Sequence, residues 1–155
     1  MTQRPVKSVA VVLMLGFFLA LPGLSLSGSV ATAGQPANPQ KLIKALDSPD
    51  PVEVARTAYW LGQQGRAALV AVPKLAALLG DVRPVNAVRY RTRPDPVLES
   101  WPKTSPGEEA AVALTLIGGN PAIESLISVL QHSPNAAARK NAAWALGIIA
   151  ARAGH

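Results

Sequence analysis

Apolar positions along this chain fall mostly at helical spacing. Leu42, Ile43 and Leu46 share one face of a short segment opening at Pro39. Over 51–61 the spacing predicts a helix that buries Val54, Ala55, Ala58 and Leu61 with Tyr59 or Trp60 beside them, leaving Glu53, Arg56 and Thr57 to water. A second helix is predicted over 67–79 around Val72, Leu75, Ala76, Leu78 and Leu79. Because Pro73 lacks an N–H and crowds the preceding turn, its regular part is expected to start at Val72. The rhythm is then lost over 81–104, where Pro84, Pro94, Pro96 and Pro102 exclude a long helix.

Helical spacing returns over 106–117, with Val112, Ala113, Leu116 and Ile117 as the apolar side. Glu108 and Glu109 fall in its first turn, where the helix dipole favours anions. Gly118, Gly119 and Asn120 form the next turn, and a helix over 121–131 carries Ile123, Leu126, Ile127 and Leu130. The last predicted helix, 134 to about 152, is apolar nearly all round: Ala138, Ala142, Ala145 and Ile149 on one side, Trp144, Leu146 and Ile148 on others. Such a helix needs cover from more than one direction. Self-association through this helix, another protein, or further repeats of a longer array would supply it.

The pattern repeats. SPDPVEVARTAYWLG (48–62) and SPNAAARKNAAWALG (133–147) both begin with Ser-Pro, run through small residues and close on Leu-Gly, and TSPGEEAAVALTLIG (104–118) is a looser third copy. Read as a unit, Ser-Pro opens a helix and the glycine suits the left-handed turn that ends it. LIKALDSPD (42–50) and LISVLQHSPN (126–135) echo one another just before two of these units. Gly118 and Gly147 are 29 residues apart and Gly62 and Gly118 are 56 apart, which marks 81–104 as an insertion.

These residues resemble the HEAT repeat, in the short form named after the phycobilisome lyases. The resemblance implies an all-α, armadillo-type fold: a right-handed α-solenoid of about three short repeats over 39–153, with the insertion as a loop. Val-Pro at 72–73 fits the same family. In that family a turn Asp and a helix Arg often form a ladder between repeats. Arg139 and Asp50 match such positions, but Val54 and Ala110 replace arginines and Asn135 an acid, so the stack is expected to rely on apolar packing. The family's roles imply a protein-binding scaffold, with a chromophore-lyase-like subunit or a HEAT-like nucleic-acid-binding protein as alternatives.

The N-terminus changes where that scaffold would work. Arg4 and Lys7, an apolar run from Val9 to Leu21 and a small-residue tail ending Ala31-Thr32-Ala33 have the order of a secretory signal peptide cut after Ala33. Removing the first 33 of 155 residues leaves 122, beginning with a polar linker over 34–38. The alternative is an uncleaved membrane anchor over 9–26, although Pro22, Gly23 and Ser25 interrupt it. The expected location is therefore exported, periplasmic or secreted, which counts against the lyase alternative.

Composition narrows the chemistry. With no cysteine, disulfides, thiol redox chemistry and zinc-thiolate sites are excluded. The net charge of +6 falls to +4 without Arg4 and Lys7, a weak balance for a nucleic-acid binder, and no nucleic-acid partner is expected. His132 and His155 stand far apart with no ligand-spaced neighbours, and no nucleophile elbow, metalloprotease motif or phosphate-binding glycine loop is present. No enzyme activity, cofactor or metal is expected.

The insertion holds the candidate partner-binding residues. Arg89, Arg91 and Arg93 alternate with Tyr90 and Thr92, and in an extended chain would form a comb of guanidinium groups for a carboxylate or phosphate. The plain alternative is a solvated loop, its charge partly offset by Asp81, Asp95 and Glu99. Trp101, in the same Pro-rich loop, is a candidate interface anchor beside Tyr90. Trp60 and Trp144 are candidates for a binding surface too, but lying within helices they are expected to pack between repeats.

Overall fold

The computed structural model describes residues 38–91 and 102–154. The signal-peptide, anchor and linker expectations for 1–37, apart from Asn38, therefore lie outside the described residues. Those described belong to one unit spanning 34–155 and are mostly helical, in keeping with an all-α fold. The helices are α1 (Pro39–Ala45), α2 (Pro51–Gln63), α3 (Val72–Leu78), α4 (Pro106–Ile117), α5 (Gly119–His132) and α6 (Ala136–Ala153). A 3₁₀ stretch, Gly65–Ala71, leads into α3, so regular helix does begin at Val72 with Pro73 in its first turn. No described helix is long and apolar enough to cross a membrane.

Helix starts follow one local device. Asn38, Asp50, Ser105 and Asn135 cap α1, α2, α4 and α6 by accepting a backbone N–H of the first turn, at 2.9–3.2 Å. In the copies at 48 and 133 Ser-Pro therefore precedes the helix instead of opening it, whereas at Ser105-Pro106 it does open α4. Ser48 and Ser133 accept the N–H groups of Asp50 and Asn135, each at 3.2 Å, so the two best-matched copies share the same serine turn followed by an Asx cap.

The core centres on α4. It packs most extensively on α2, then on α6 and α3, while α5 packs on α6 and α3, and α1 on α2 and the 3₁₀ stretch. Surrounded in this way, α4 buries Ala110, Ala111, Ala113, Leu114, Thr115 and Ile117. Its apolar side is therefore wider than the periodicity predicts, and Leu116, predicted inside, is exposed. Thr57, predicted to face water, is buried on α2. On α5 only Ala122 and Leu126 are buried, and Ile127 and Leu130 are exposed.

The repeated glycines part company. Gly118 ends α4 with φ +61°, as a terminal glycine should, and Gly119 follows at φ +79°. Gly62 and Gly147 instead lie inside α2 and α6. At Gly62 the reason is close approach: a Cβ there would lie 2.9 Å from Ala113 Cα and 3.2 Å from its Cβ, so glycine lets the α2 and α4 backbones meet. At Gly147 nothing lies within 4 Å of the same position.

That contrast predicts opposite effects for one substitution at equivalent sequence positions. Gly62→Ala should destabilise by about 1–3 kcal/mol through overpacking. Gly147→Ala should stabilise by about 0.5–1 kcal/mol through helix propensity. Urea unfolding of the two variants checks both signs.

Candidate functional site

The insertion is tied down at its base. Val85–Asn86 pairs antiparallel with Lys103–Thr104, making β1 and β2 of a two-stranded ladder in register Val85 to Thr104. Asp81 holds Arg83 through hydrogen bonds of 2.6–3.1 Å, and Arg83 in turn donates to the Pro49 carbonyl at 2.8 Å. The Arg83 guanidinium, bonded to the carboxylate, holds Asp81 below the usual carboxylate range against a partial burial that pushes the other way. The clamp therefore persists above that range and weakens as pH falls through the lowered Asp81 value.

After β1 the chain does not extend. Asn86 caps a 3₁₀ turn over Ala87–Arg89 by accepting the Val88 N–H at 3.0 Å, and the turn redirects the next two residues inward. Arg89 remains exposed, whereas Tyr90 is buried and the Arg91 side chain is only 19% exposed. The comb of parallel guanidinium groups expected for an extended chain is therefore absent at Arg89 and Arg91. Arg93 and Trp101 lie outside the described residues.

Tyr90 and Arg91 converge on Glu109, which is fully buried rather than a solvated helix-start charge. Its Oε1 accepts the Tyr90 hydroxyl at 3.0 Å and the Arg91 guanidinium at 2.5 Å. Arg91 also lies over the Tyr59 ring, 5.3 Å from its centroid, a geometry suited to cation–π attraction. Tyr59 and Tyr90 are in ring contact at 6.0 Å. The cluster thus fastens the loop across α2 and α4. Glu109 Oε2 and Arg91 Nε are buried without a hydrogen-bond partner, so the pair is held through one oxygen. The first-turn position of Glu109 disguised this role, because an acid there is ordinarily a solvated dipole partner.

A groove opens on the other side of α4, between it and α6. Two adjoining cavities of about 300 and about 270 Å³ share Glu108, Lys140 and Asn141. One is completed by Ala111, Val112 and Trp144 and is apolar. The other reaches the loop through Val82, Pro84, Lys103 and Thr104 and is mixed, with polar and apolar surface in about equal parts. Trp144 is 48% exposed and Trp60 40%, so neither is enclosed between helices as predicted. Asn141 is held by a 2.8 Å bond from its amide to the Leu79 carbonyl, and Glu108 accepts the Thr104 hydroxyl at 3.4 Å. Among the described residues no group of three His, Asp or Glu side chains could hold a metal.

Sequence reasoning placed Tyr90 and Arg91 in one cluster but missed Glu109, and of the groove's residues it weighed only Trp144 as a binding-surface residue, preferring a packing role for it. Trp144 and Lys140, four apart on a helix whose intervening Ala143 is small and exposed, were the available signal.

Two outcomes follow. Arg91→Met leaves Glu109 buried and uncompensated, and should cost about 3–5 kcal/mol in urea unfolding. Adding Glu109→Leu should recover most of that loss. Burial, reinforced by the nearby Glu109 charge, pushes the Tyr90 phenol well above its usual range. Stability from a raised phenol is complete below the unfolded value near pH 10 and falls as pH rises above it. Tyr90→Phe should therefore lose less stability than the parent between about pH 9 and about pH 11.

No protein-family profile, curated protein or solved structure matches this chain.

Proposed function

We propose that this chain is an exported, non-catalytic protein–protein interaction scaffold, built as a right-handed α-solenoid of about three short HEAT-like repeats behind a signal peptide. The observation that carries the binding role is the α4–α6 groove, with a half-exposed tryptophan on its apolar wall. Large aromatic side chains beside a surface cavity are the usual anchors of protein interfaces. The repeat reading draws on two further observations. α2, α4 and α6 pack in succession, as do the 3₁₀–α3 segment and α5 behind them. The matching serine turns and Asx caps at 48–50 and 133–135 begin α2 and α6 alike.

The nucleic-acid alternative is weakened by how the loop uses its charge. Arg83 and Arg91 are engaged with Asp81 and Glu109, which leaves less positive charge facing outward for phosphates. Nothing in the groove favours a chromophore-lyase role over simple docking.

The test is recovery of the protein from its own host after chemical cross-linking, with N-terminal sequencing of what is recovered. The expected result is an exported chain beginning near Gly34 and cross-linked to a protein partner. A cytosolic chain beginning at Met1 would remove the export part of the reading. Recovery without any protein partner would remove the scaffold part.

A further inference from the structure

Resting on the scaffold reading, the two halves of the groove specify what docks there. Its apolar half presents Trp144, Val112 and Ala111, its mixed half carries Lys103 on β2, and Lys140 on α6 borders both. Both lysines are exposed, and neither side chain makes a hydrogen bond or ion pair with a described residue, whereas Lys74, Arg83 and Arg91 are each paired with an acid. Among the described residues that line the groove the one acid is Glu108, which accepts the Thr104 hydroxyl. Two cations against one anion leave this described lining net positive. The apolar half, at about 300 Å³, is at the small end of ligand-sized cavities and suits one large side chain.

We infer that the α4–α6 groove binds an extended segment of a partner protein bearing a large apolar side chain close to a carboxylate, the former against Trp144 and Val112 and the latter between Lys103 and Lys140. The apolar contact supplies most of the affinity, because it removes Trp144 and its counterpart from water. The lysine contacts supply selectivity, because a basic residue placed there would meet like charge. Glu108 is left to accept a backbone N–H of the segment, which an extended chain offers and a helix does not. Lys103 reaches the groove because the β1–β2 ladder sets it beside α4, so the ladder end of the insertion, with Val82 and Pro84, forms one wall of the site.

The test is selection from a phage-displayed random dodecapeptide library on the full chain, followed by affinity measurement of the selected peptides. The expected result is a consensus of an aromatic residue or leucine within a few positions of Asp or Glu. Trp144→Ala should weaken binding at least about tenfold. The pair Lys103→Glu and Lys140→Glu should reverse the charge preference, giving a consensus with Lys or Arg in place of the acid. These side chains are exposed, so circular dichroism and urea midpoints should stay at the parent's values. A consensus that is basic or purely apolar on the parent, or peptides whose binding ignores Trp144→Ala and the lysine reversals, would overturn the inference. So would a dimer in light scattering that Trp144→Ala dissolves, since the groove's occupant would then be a second copy of the chain. In each case a protein partner cross-linked in the host would leave the scaffold reading standing.

Discussion

Three consecutive carbonyl groups, those of Leu79, Gly80 and Asp81, hold the arrangement of the later helices. They lie where α3 ends, and a helix end leaves its last carbonyls without partners inside the helix. Each is met from elsewhere: Leu79 by the Asn141 amide at 2.8 Å, Gly80 by the Asn135 amide at 3.3 Å, and Asp81 by the Gly107 N–H at 2.9 Å. Asn141 is buried on α6, Asn135 caps it, and Gly107 is in the first turn of α4. Two helices are thereby registered against the end of a third. Gly107 must be small for this, since a Cβ would lie 2.6 Å from the Leu79 oxygen. Moving α6 would leave the buried Asn141 amide without its partner, a costly outcome in a dry interior.

The sequence reading, with the family's acid–arginine ladder mostly missing, expected the helices to rely on apolar packing, and these asparagine-to-carbonyl bonds add a polar registration to it. Arg139, the residue matching the ladder arginine, donates to the Ser133 and Pro134 carbonyls at the start of its own helix. Asparagine and backbone groups take over the cross-links, with no cost of burying a charge pair between helices. Among the described residues the one charge pair that is deeply placed, Arg91 with Glu109, fastens the loop instead. Apolar packing then closes the remaining space with small residues: Ala58, Ala110, Ala113 and Ala142 are fully or almost fully buried. Small side chains at helix contacts keep the axes close, and the groove is the place where α4 and α6 are not filled between.

Much of the helix layout was legible because its signals are local. Pro106 to Ile117 and the start at Val72 follow from proline and glycine chemistry acting within a few residues, while the Asx caps at Asp50 and Asn135 lie two residues beyond the serines that the repeat pattern singled out. The faces were harder to assign. A helix surrounded by neighbours, as α4 is, has no polar side for periodicity to detect, so Leu116 and Ala111 exchange the places that spacing gives them. Gly62 and Gly147 match in sequence and differ in structure because only one has a helix crossing beside it. Glu109 was illegible for the same reason: its partners come from a turn 18 and 19 residues upstream, and that turn bends where alternation suggested an extended chain.

The short ladder has a consequence for how this chain can change. Tyr90 and Arg91 anchor one side of the loop on Glu109, and Lys103 and Thr104 anchor the other on β1. Backbone pairing holds position 103 whatever side chain stands there, so exchange of that lysine alters the charge of the groove wall while leaving the ladder and the helices behind it as they are. The framework and its recognition edge can drift on separate clocks.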